Sequence, residues 1–148
     1  MQITLATPDE CEWAAGLLAG SNPWIRLSVS LDRCREACAD PQHEVFVAHD
    51  EQGPCGVILL HPRGLAGSPY VKSIAVVADR RSQGIGGALM DFAELRYREH
   101  ARFLFLCVSA FNTRARSFYE ARGFLEVGEL PDYVVEGESE ILMRKPLR

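Results

Sequence analysis

The sequence predicts a single α/β domain in which a mixed sheet of about seven strands is flanked by about four helices. Apolar runs of strand length, such as Tyr70–Val77 and Phe103–Val108, alternate with amphipathic stretches that have helical spacing. Capping and turn residues separate these stretches. The 148 residues contain no repeat, low-complexity tract or linker-like stretch, so residues 1–148 are expected to form one domain around one core.

The first half of the chain is predicted to contain a strand, two helices and two strands joined by a short turn. Thr7 and Glu10 have the spacing of a capping box, and Pro8 suits the first turn of a helix. Pro62–Pro69 is rich in glycine and proline and is predicted to be a loop. The predicted bounds are a strand over residues 2–6, helices from Thr7 to about Ala19 and from about Ser30 to Ala39, and strands Glu44–His49 and Gly56–His61.

The second half is predicted to alternate strands with helices. Tyr70–Val77 is almost continuously apolar, which is typical of a central strand buried on both faces. Asn112 stands in the capping position of a helix that Gly123 ends. The overall order, β-α-α-β-β-β-α-β-α-β-β, implies a mixed sheet that is antiparallel at the start and has parallel crossovers later. The predicted bounds are strands Tyr70–Val77, Phe103–Val108, Phe124–Glu129 and Glu140–Arg144, and helices Ala88–Tyr97 and Thr113–Arg122.

Composition excludes several classes of protein. The net charge of −4 offers no basic field for nucleic acid or anionic lipid, so neither is an expected partner. The apolar stretches are shorter than the roughly 20 residues of a membrane span, and the acidic residues Asp9, Glu10 and Glu12 do not suit a signal peptide. We therefore expect a cytoplasmic protein. Cys34 and Cys38 share a helix face but lack further ligands nearby, so reduced thiols and no metal are expected.

A glycine-rich loop between a strand and a helix predicts an anion-binding site. The loop reads Arg81-Ser82-Gln83-Gly84-Ile85-Gly86-Gly87. The start of a helix has unpaired N–H groups and the positive end of the helix dipole, and glycine lets a phosphate approach the backbone. A dinucleotide-binding loop would need glycine where Leu89 stands, and a nucleoside-triphosphate loop would need a lysine after the glycines. A nucleotide-binding regulatory domain is therefore disfavoured.

Two segments together resemble the GCN5-related N-acetyltransferase (GNAT) family. The first is Ser73-Ile74-Ala75-Val76 followed by Arg81-x-x-Gly84-x-Gly86, and the second is Asn112–Phe124. The likeness covers residues 70–125 well and the remainder only through the order of elements. It implies the GNAT fold and an N-acetyltransferase that moves the acetyl group of acetyl-coenzyme A to a primary amine. The alternative is a non-catalytic sensor or regulatory module that binds acyl-coenzyme A.

The resemblance also implies which residues contact the cofactor. In the family, the strand before the loop bends and its neighbour splays away, which frees backbone groups for the pantetheine arm and for an oxyanion hole. The loop backbone would hold the pyrophosphate, and Arg81 would neutralise its charge or fix the loop. Asn112 would cap its helix, contact the pantetheine region, or do both. The implied cofactor-binding residues are Ile74, Ala75, Val76, Arg81, Ser82, Gln83, Gly84, Ile85, Gly86, Gly87 and Asn112.

Tyr119 matches the tyrosine that in many relatives protonates the departing coenzyme A thiolate. Reference pKa values make full proton transfer from a phenol uphill by about 1.5 units, or roughly 2 kcal/mol, so a hydrogen bond would serve as well. A role as a core aromatic residue beside Phe118 is the alternative. No cysteine stands at a matched nucleophile position, which favours direct attack of the amine within a ternary complex. A sensor would have no need of a proton donor at Tyr119.

The sequence leaves the base that deprotonates the amine open between several residues. Some relatives place a glutamate four residues before the position of Ile74, where this chain has Tyr70. Histidine is a common general base, so His61 is one candidate, although it is equally a structural or solvated residue, and Glu44 is a further candidate.

The acceptor is also open, although one segment bears on it. Glu126–Glu140 contains six acidic residues and no Lys or Arg, and in the family the loop between the last two strands borders the acceptor site. Acidic and aromatic side chains there would favour a cationic amine, whereas a solubilising acidic face is equally compatible. A short Asp132-Tyr133 stretch resembles relatives that acetylate protein N-termini. A homodimer remains an option. The candidate acceptor-binding residues are Trp24, Tyr70, Asp132 and Tyr133.

Overall fold

One mixed sheet forms the centre of the protein, as the computed structural model of residues 1–148 shows. The elements are β1 (Gln2–Leu5), α1 (Pro8–Ala19), α2 (Leu31–Ala39), β2 (Glu44–Asp50), β3 (Gly53–Leu65), β4 (Ser68–Val76), α3 (Ile85–Tyr97), β5 (Phe103–Ser109), α4 (Thr113–Ala121), β6 (Leu125–Pro131) and β7 (Ser139–Pro146), with a 3₁₀ turn at Ala78–Arg80. The seven strands lie in the order β1-β2-β3-β4-β5-β7-β6, and only β4 and β5 are parallel neighbours. This confirms the predicted fold class. No helix is long and apolar enough to cross a membrane.

The sheet separates two apolar layers. Side chains of a strand alternate between its faces, and β3 shows this clearly. Ile58 and Leu60 pack in the larger cluster with α3 and α4, whereas Val57 and Leu59 pack in the smaller cluster with α1 and α2. All four are fully buried, as expected of a central strand covered on both faces.

The helix starts follow the capping signals of the sequence. Thr7 and Glu10 form the expected capping box, in which each backbone N–H donates to the other residue's side chain. Ser30 caps α2 by accepting from the backbone N–H of Arg33 at 3.2 Å. These caps accept hydrogen bonds from backbone N–H groups that have no partner within the helix. Because the capping residues are close in sequence, the caps depend little on the rest of the fold.

The segment Pro62–Pro69 is not a loop, and that prediction is wrong. β3 continues to Leu65 and β4 begins at Ser68, so the two strands form one long hairpin. The turn at Ala66 and Gly67 has φ values of +49° and +82°, the left-handed pair of a tight hairpin turn. The pairing is irregular between His61 and Leu65, which gives prolines room in a strand.

A β-bulge at Lys72 interrupts the pairing of β4 with β3. Ser73 lies opposite Leu59 and Val71 opposite Leu60, which leaves Lys72 as an extra, unpaired residue. The bulge changes which face each later residue occupies. Val71 packs in the larger cluster and so does Ile74, three positions later, although strict alternation would place them on opposite faces. The strand is therefore bent and re-aimed at its middle.

The start of α3 lies close against β3 at Gly56. A Cβ atom built on Gly56 would lie 3.0 Å from Ile85 Cγ2, 3.1 Å from Leu89 Cδ1 and 3.3 Å from the Ala75 carbonyl oxygen. These distances are shorter than ordinary contacts, so the lack of a side chain at Gly56 lets the first turns of α3 approach the sheet.

We predict that Gly56→Ala destabilises the protein by about 1–3 kcal/mol, because the added methyl overpacks this contact. The matched control is Gly16→Ala in α1, where a Cβ meets nothing within 4 Å. That change should stabilise by roughly 0.5–1 kcal/mol, since alanine is the better helix former. Urea unfolding of both variants measures the difference, and equal effects would contradict the close approach at Gly56.

Candidate active site

A cleft opens between β4 and β5 because these parallel strands part after two paired residues. Tyr70 pairs with Phe105 and Val71 with Leu106, and no pair follows them. The cleft has a volume of about 1240 Å³. Its walls come from β4, the start of α3, the end of β5, α4, α2, the segment between α1 and α2, and the β6–β7 loop. The two motifs of the sequence therefore meet at one gap in the sheet.

The backbone of β4 beyond the bulge turns polar groups towards this gap. Val77 donates its N–H to the Cys55 carbonyl of β3 at 2.9 Å, so Val77 faces the other neighbour. Because adjacent residues of a strand direct their backbone groups to opposite sides, Val76 and Ile74 face the gap. In agreement with this, the Val76 carbonyl accepts a hydrogen bond from Arg81 Nε at 3.2 Å. Arg81 thus ties the glycine-rich loop to the strand.

The start of α3 presents unpaired backbone donors at one end of the cleft. Gly84 precedes the helix with a φ of +83°, a left-handed conformation that favours glycine, and no side chain caps the helix. The Gly84 carbonyl accepts the first helical bond from Ala88 at 3.0 Å, so the N–H groups of Ile85–Gly87 have no backbone partner. Together with the helix dipole, these donors make a site for an anion.

Of the arginines that line the cleft beside this helix start, Arg80 pairs with Asp50, whereas Arg81 and Arg114 donate to neutral acceptors rather than to carboxylates. Arg81 donates to the Val76 carbonyl, and Arg114 Nη2 of α4 donates to Ser82 Oγ at 3.4 Å. Their charges are therefore not neutralised within the protein, and they add to the positive potential of the helix start.

Tyr119 of α4 has a buried ring and borders the cleft. Only 7% of the residue is exposed, and its ring packs edge-on against Phe118 and Phe124 at centroid distances of 5.3 and 5.8 Å. No group of the protein pairs with its hydroxyl, which is not sealed from solvent. Burial raises the pKa of Tyr119 to about 12, so the phenol is a proton-bearing group at neutral pH.

Glu140 is a nearly buried carboxylate on the β5 side of the cleft. It is 7% exposed, and Ser109, its neighbour across the β5–β7 pair, donates Oγ–H to Oε2 at 2.6 Å. No cation pairs with Glu140, and nothing in the protein donates to Oε1. Burial raises the pKa of the Glu140 carboxyl; the Ser109 hydrogen bond lowers it, and the charge of Glu138 raises it again.

An ion pair joins the two loops that border this part of the cleft. Arg26, between α1 and α2, contacts Glu138 of the β6–β7 loop at 3.2 Å. The same guanidinium lies over the Phe111 ring, 4.0 Å from its centroid. The pair is partly exposed and contributes little to stability, but it connects the two loops.

The structure brings most of the predicted site residues to the cleft. Asn112 both caps α4, by accepting from Ala115 N at 3.2 Å, and borders the cleft. Gln83 and Asp132 do not line it, and Asp132 instead accepts from Gly137 N at 2.7 Å within its own turn. The predicted residues that do line the cleft are Trp24, Tyr70, Ile74, Ala75, Val76, Arg81, Ser82, Gly84, Ile85, Gly86, Gly87, Asn112, Tyr119 and Tyr133.

The two candidates for a base, Glu44 and His61, lie outside the cleft. Glu44 accepts from Arg96 Nε at 3.0 Å and from the Tyr97 hydroxyl at 2.6 Å, and the Arg96 hydrogen bond holds its pKa below the usual value. The His61 ring packs edge-on against His43 at 5.4 Å. None of the four histidines lines the cleft.

Sequence reasoning missed Ser109 and Arg114, and it named Glu140 only as part of an acidic segment. One feature of the sequence could have singled out Glu140: it directly precedes the apolar residues of the last strand. The other two become site residues only through hydrogen bonds between distant segments, which local patterns do not show.

Residues 41–126 match the family model described as an acetyltransferase (GNAT) domain. An N-alpha-acetyltransferase of Sulfurisphaera tokodaii is 38% identical over 80 residues, which are 53% of this chain and 48% of that protein. The chain spans about half the length of the curated relatives it matches.

Solved structures share the fold over almost the whole chain. A structure described as a putative acetyltransferase of the GNAT family from Desulfovibrio desulfuricans superposes with a TM-score of 0.82 at 20% identity, covering 99% of both chains. An aminoglycoside 6′-N-acetyltransferase complexed with coenzyme A superposes with a TM-score of 0.77 at 20% identity, covering 100% of this chain and 98% of that one. At these identities the likeness concerns the fold.

Proposed function

Because the chain belongs to the GNAT acetyltransferase family, whose model matches more than half of it, we propose that it transfers an acetyl group from acetyl-coenzyme A to a primary amine. The observation that carries this proposal is the gap between β4 and β5, which has an anion-binding helix start and the Tyr119 hydroxyl on the same cleft. A protein of the same fold has been crystallised with coenzyme A, which supports the choice of donor.

The residues at the α3 end fit the pyrophosphate of the donor. The N–H groups of Ile85–Gly87, which have no backbone acceptor, lie at the start of the helix. Arg81 and Arg114 add positive charge that no carboxylate neutralises. The gap-facing backbone of Ile74 and Val76 would receive the pantetheine arm and polarise the thioester carbonyl. Arg81 would then either keep its bond to Val76 or exchange it for a phosphate.

Tyr119 would act as a hydrogen-bond donor to the departing thiolate. With a pKa of about 12, its full ionisation is costly. Against a thiol of about 8.5, complete proton transfer is uphill by about 3.5 units, or roughly 5 kcal/mol. This is more than the reference values suggest, so a hydrogen bond that strengthens as the thiolate forms is the better description.

The acceptor side favours a small cationic amine or a peptide amine. Trp24, Tyr70 and Tyr133 provide aromatic walls, and Glu140 provides a carboxylate without a counter-ion. The named relatives act on such compounds: one is an N-alpha-acetyltransferase, and another is an aminoglycoside 6′-N-acetyltransferase. Direct attack within a ternary complex agrees with the cleft, since burial raises the pKa of Cys107, which lies there, and so disfavours its thiolate.

A thiol-release assay with acetyl-coenzyme A tests the function against spermidine, kanamycin, free amino acids and peptides with free N-termini. Acetylation of at least one of these amines is the expected result. Tight binding of acetyl-coenzyme A without release of thiol for any amine would instead support the acyl-coenzyme A sensor.

Gly86→Leu should raise the dissociation constant of acetyl-coenzyme A by about tenfold or more, because a side chain there blocks approach to the helix start. A Cβ on Gly86 meets only ordinary contacts, 3.7 Å from Phe118 and 3.9 Å from Val76, so the helix itself tolerates its first atom. Calorimetric titration measures the affinity, and Gly16→Ala serves as the control for a helix glycine away from the cleft. If Gly86→Leu bound acetyl-coenzyme A with unchanged affinity, the pyrophosphate would not bind at this loop.

Deletion of Lys72 should allow folding but weaken acetyl-coenzyme A binding by about tenfold or more. Without the extra residue, Val71 and Ser73 pair with Leu60 and Leu59 in regular alternation, so β4 can run straight beside β5 and close the gap. Lys72→Ala keeps the bulge and should bind within about threefold of the parent. Equal affinities for the deletion and the substitution would show that the bulge does not hold the cleft open.

Tyr119→Phe should lower kcat by about tenfold to a hundredfold and change acetyl-coenzyme A affinity by less than about threefold, because it removes only a hydrogen bond made in the transition state. Since the parent phenol ionises near pH 12, its rate should not decline between neutral pH and about pH 10 through loss of this proton. Steady-state kinetics across pH measure both effects. An unchanged kcat would exclude Tyr119 from the reaction.

A further inference from the structure

We propose that the Glu140 carboxylate binds the ammonium group of the acceptor and takes its proton, and this inference rests on the proposed function. An alkylamine is mostly protonated at neutral pH and must lose a proton before its nitrogen can attack a thioester. The cleft therefore needs a base that the amine can reach and that no cation of the protein already pairs with.

Glu140 is the group in the cleft that meets these conditions. The carboxylates that line the cleft are Glu36, Asp40 and Glu140, and only Glu140 is buried. Asp40 accepts from the backbone N–H of Gln42 at 2.8 Å, and Glu36 lies exposed on α2. A carboxylate in water binds an ammonium group only weakly, whereas a desolvated carboxylate is strongly stabilised when it pairs with one.

The place of Glu140 in the sheet puts it at the gap. Ser109, which holds its Oε2, lies three residues beyond Leu106, where the pairing of β5 with β4 ends. The β7 strand stays paired with β5 along this stretch, so the Glu140 backbone is fixed. One oxygen is thus held by Ser109 and the other, Oε1, has no partner in the protein.

The other titratable groups around Glu140 do not compete for the proton. Burial raises the pKa of both the Tyr70 hydroxyl and the Cys107 thiol, so each already carries its proton at neutral pH. Lys72 lies close enough to affect Cys107 and is a cation. The groups that face this corner are Tyr70 and Lys72 from β4, Cys107 and Ser109 from β5, and Tyr133 and Glu138 from the β6–β7 loop.

Acetyl transfer removes two protons from the ammonium group and breaks the C–S bond of the thioester. One N–H proton of the ammonium moves to Glu140 Oε1 and later leaves to solvent. The freed nitrogen lone pair forms the C–N bond to the acetyl carbon, and the C–S bond breaks with its electron pair on sulfur. A second proton from the amine nitrogen replaces the one that the Tyr119 hydroxyl shares with the thiolate, which yields the amide and the free thiol.

The test compares pH profiles of acetyl transfer to spermidine, kanamycin and an N-terminal alanyl peptide. Glu140→Gln should lower the rate at pH 7 by about 100-fold or more. Its remaining rate should climb steadily with pH, because only amine already neutral in solution can react. Glu136→Gln, a substitution of an exposed glutamate in the adjacent β6–β7 loop, is the control for loss of negative charge and should react at the parental rate. Calorimetry of Glu140→Gln with acetyl-coenzyme A should show parental affinity, which excludes misfolding.

Substitutions of two residues beside Glu140 should shift the acidic limb of the pH–rate profile, relative to that of the parent, in opposite directions. Ser109→Ala removes a hydrogen bond that lowers the pKa of Glu140, so the limb should move to higher pH. Glu138→Gln removes a charge that raises this pKa, so the limb should move to lower pH. A purely structural Glu140 would produce neither shift, and unshifted limbs or a parental rate for Glu140→Gln would overturn the proposal. A parent protein that acetylates none of the amines would overturn the proposed function instead.

Discussion

The separation of β4 from β5 is the feature on which the rest of the site depends. Parallel neighbours in a sheet normally satisfy one another's backbone groups, and an unpaired N–H or C=O away from water is costly. Here pairing stops after Val71, at the bulge residue Lys72. The gap persists because each strand keeps its other neighbour: β4 stays bonded to β3, and β5 stays bonded to β7 along its whole length. The sheet can therefore hold a cleft at its centre without losing its core.

The same bulge explains how one strand serves two layers. Before it, Val71 packs towards α3, and after it Ile74 does so as well, while Ala75 packs towards α1 and α2. The close contact at Gly56 of β3 then sets how near the start of α3 lies to the sheet. As a result, backbone donors of the helix and gap-facing groups of the strand border one cavity. Positive charge from Arg81 and Arg114 lies at the helix end, whereas the uncompensated Glu140 borders β5.

The predictions that held were those whose cause is local in sequence. Capping residues such as Thr7 and Ser30 start helices because their side chains satisfy nearby backbone donors. The prediction for Pro62–Pro69 failed because glycine and proline are common in both loops and irregular hairpins. Only the pairing partner across the hairpin distinguishes the two, and that partner is not visible in composition.

The sequence by itself determined the order of elements, the family and the glycine-rich helix start, because each depends on residues that are close along the chain. The tertiary structure alone decided which charged side chains become part of the site. Glu44 and Glu140 look alike in sequence, yet the first is neutralised by Arg96 while the second is buried beside Ser109 without a cation. Their difference arises from long-range packing, which sets the desolvation and the partners of each carboxylate.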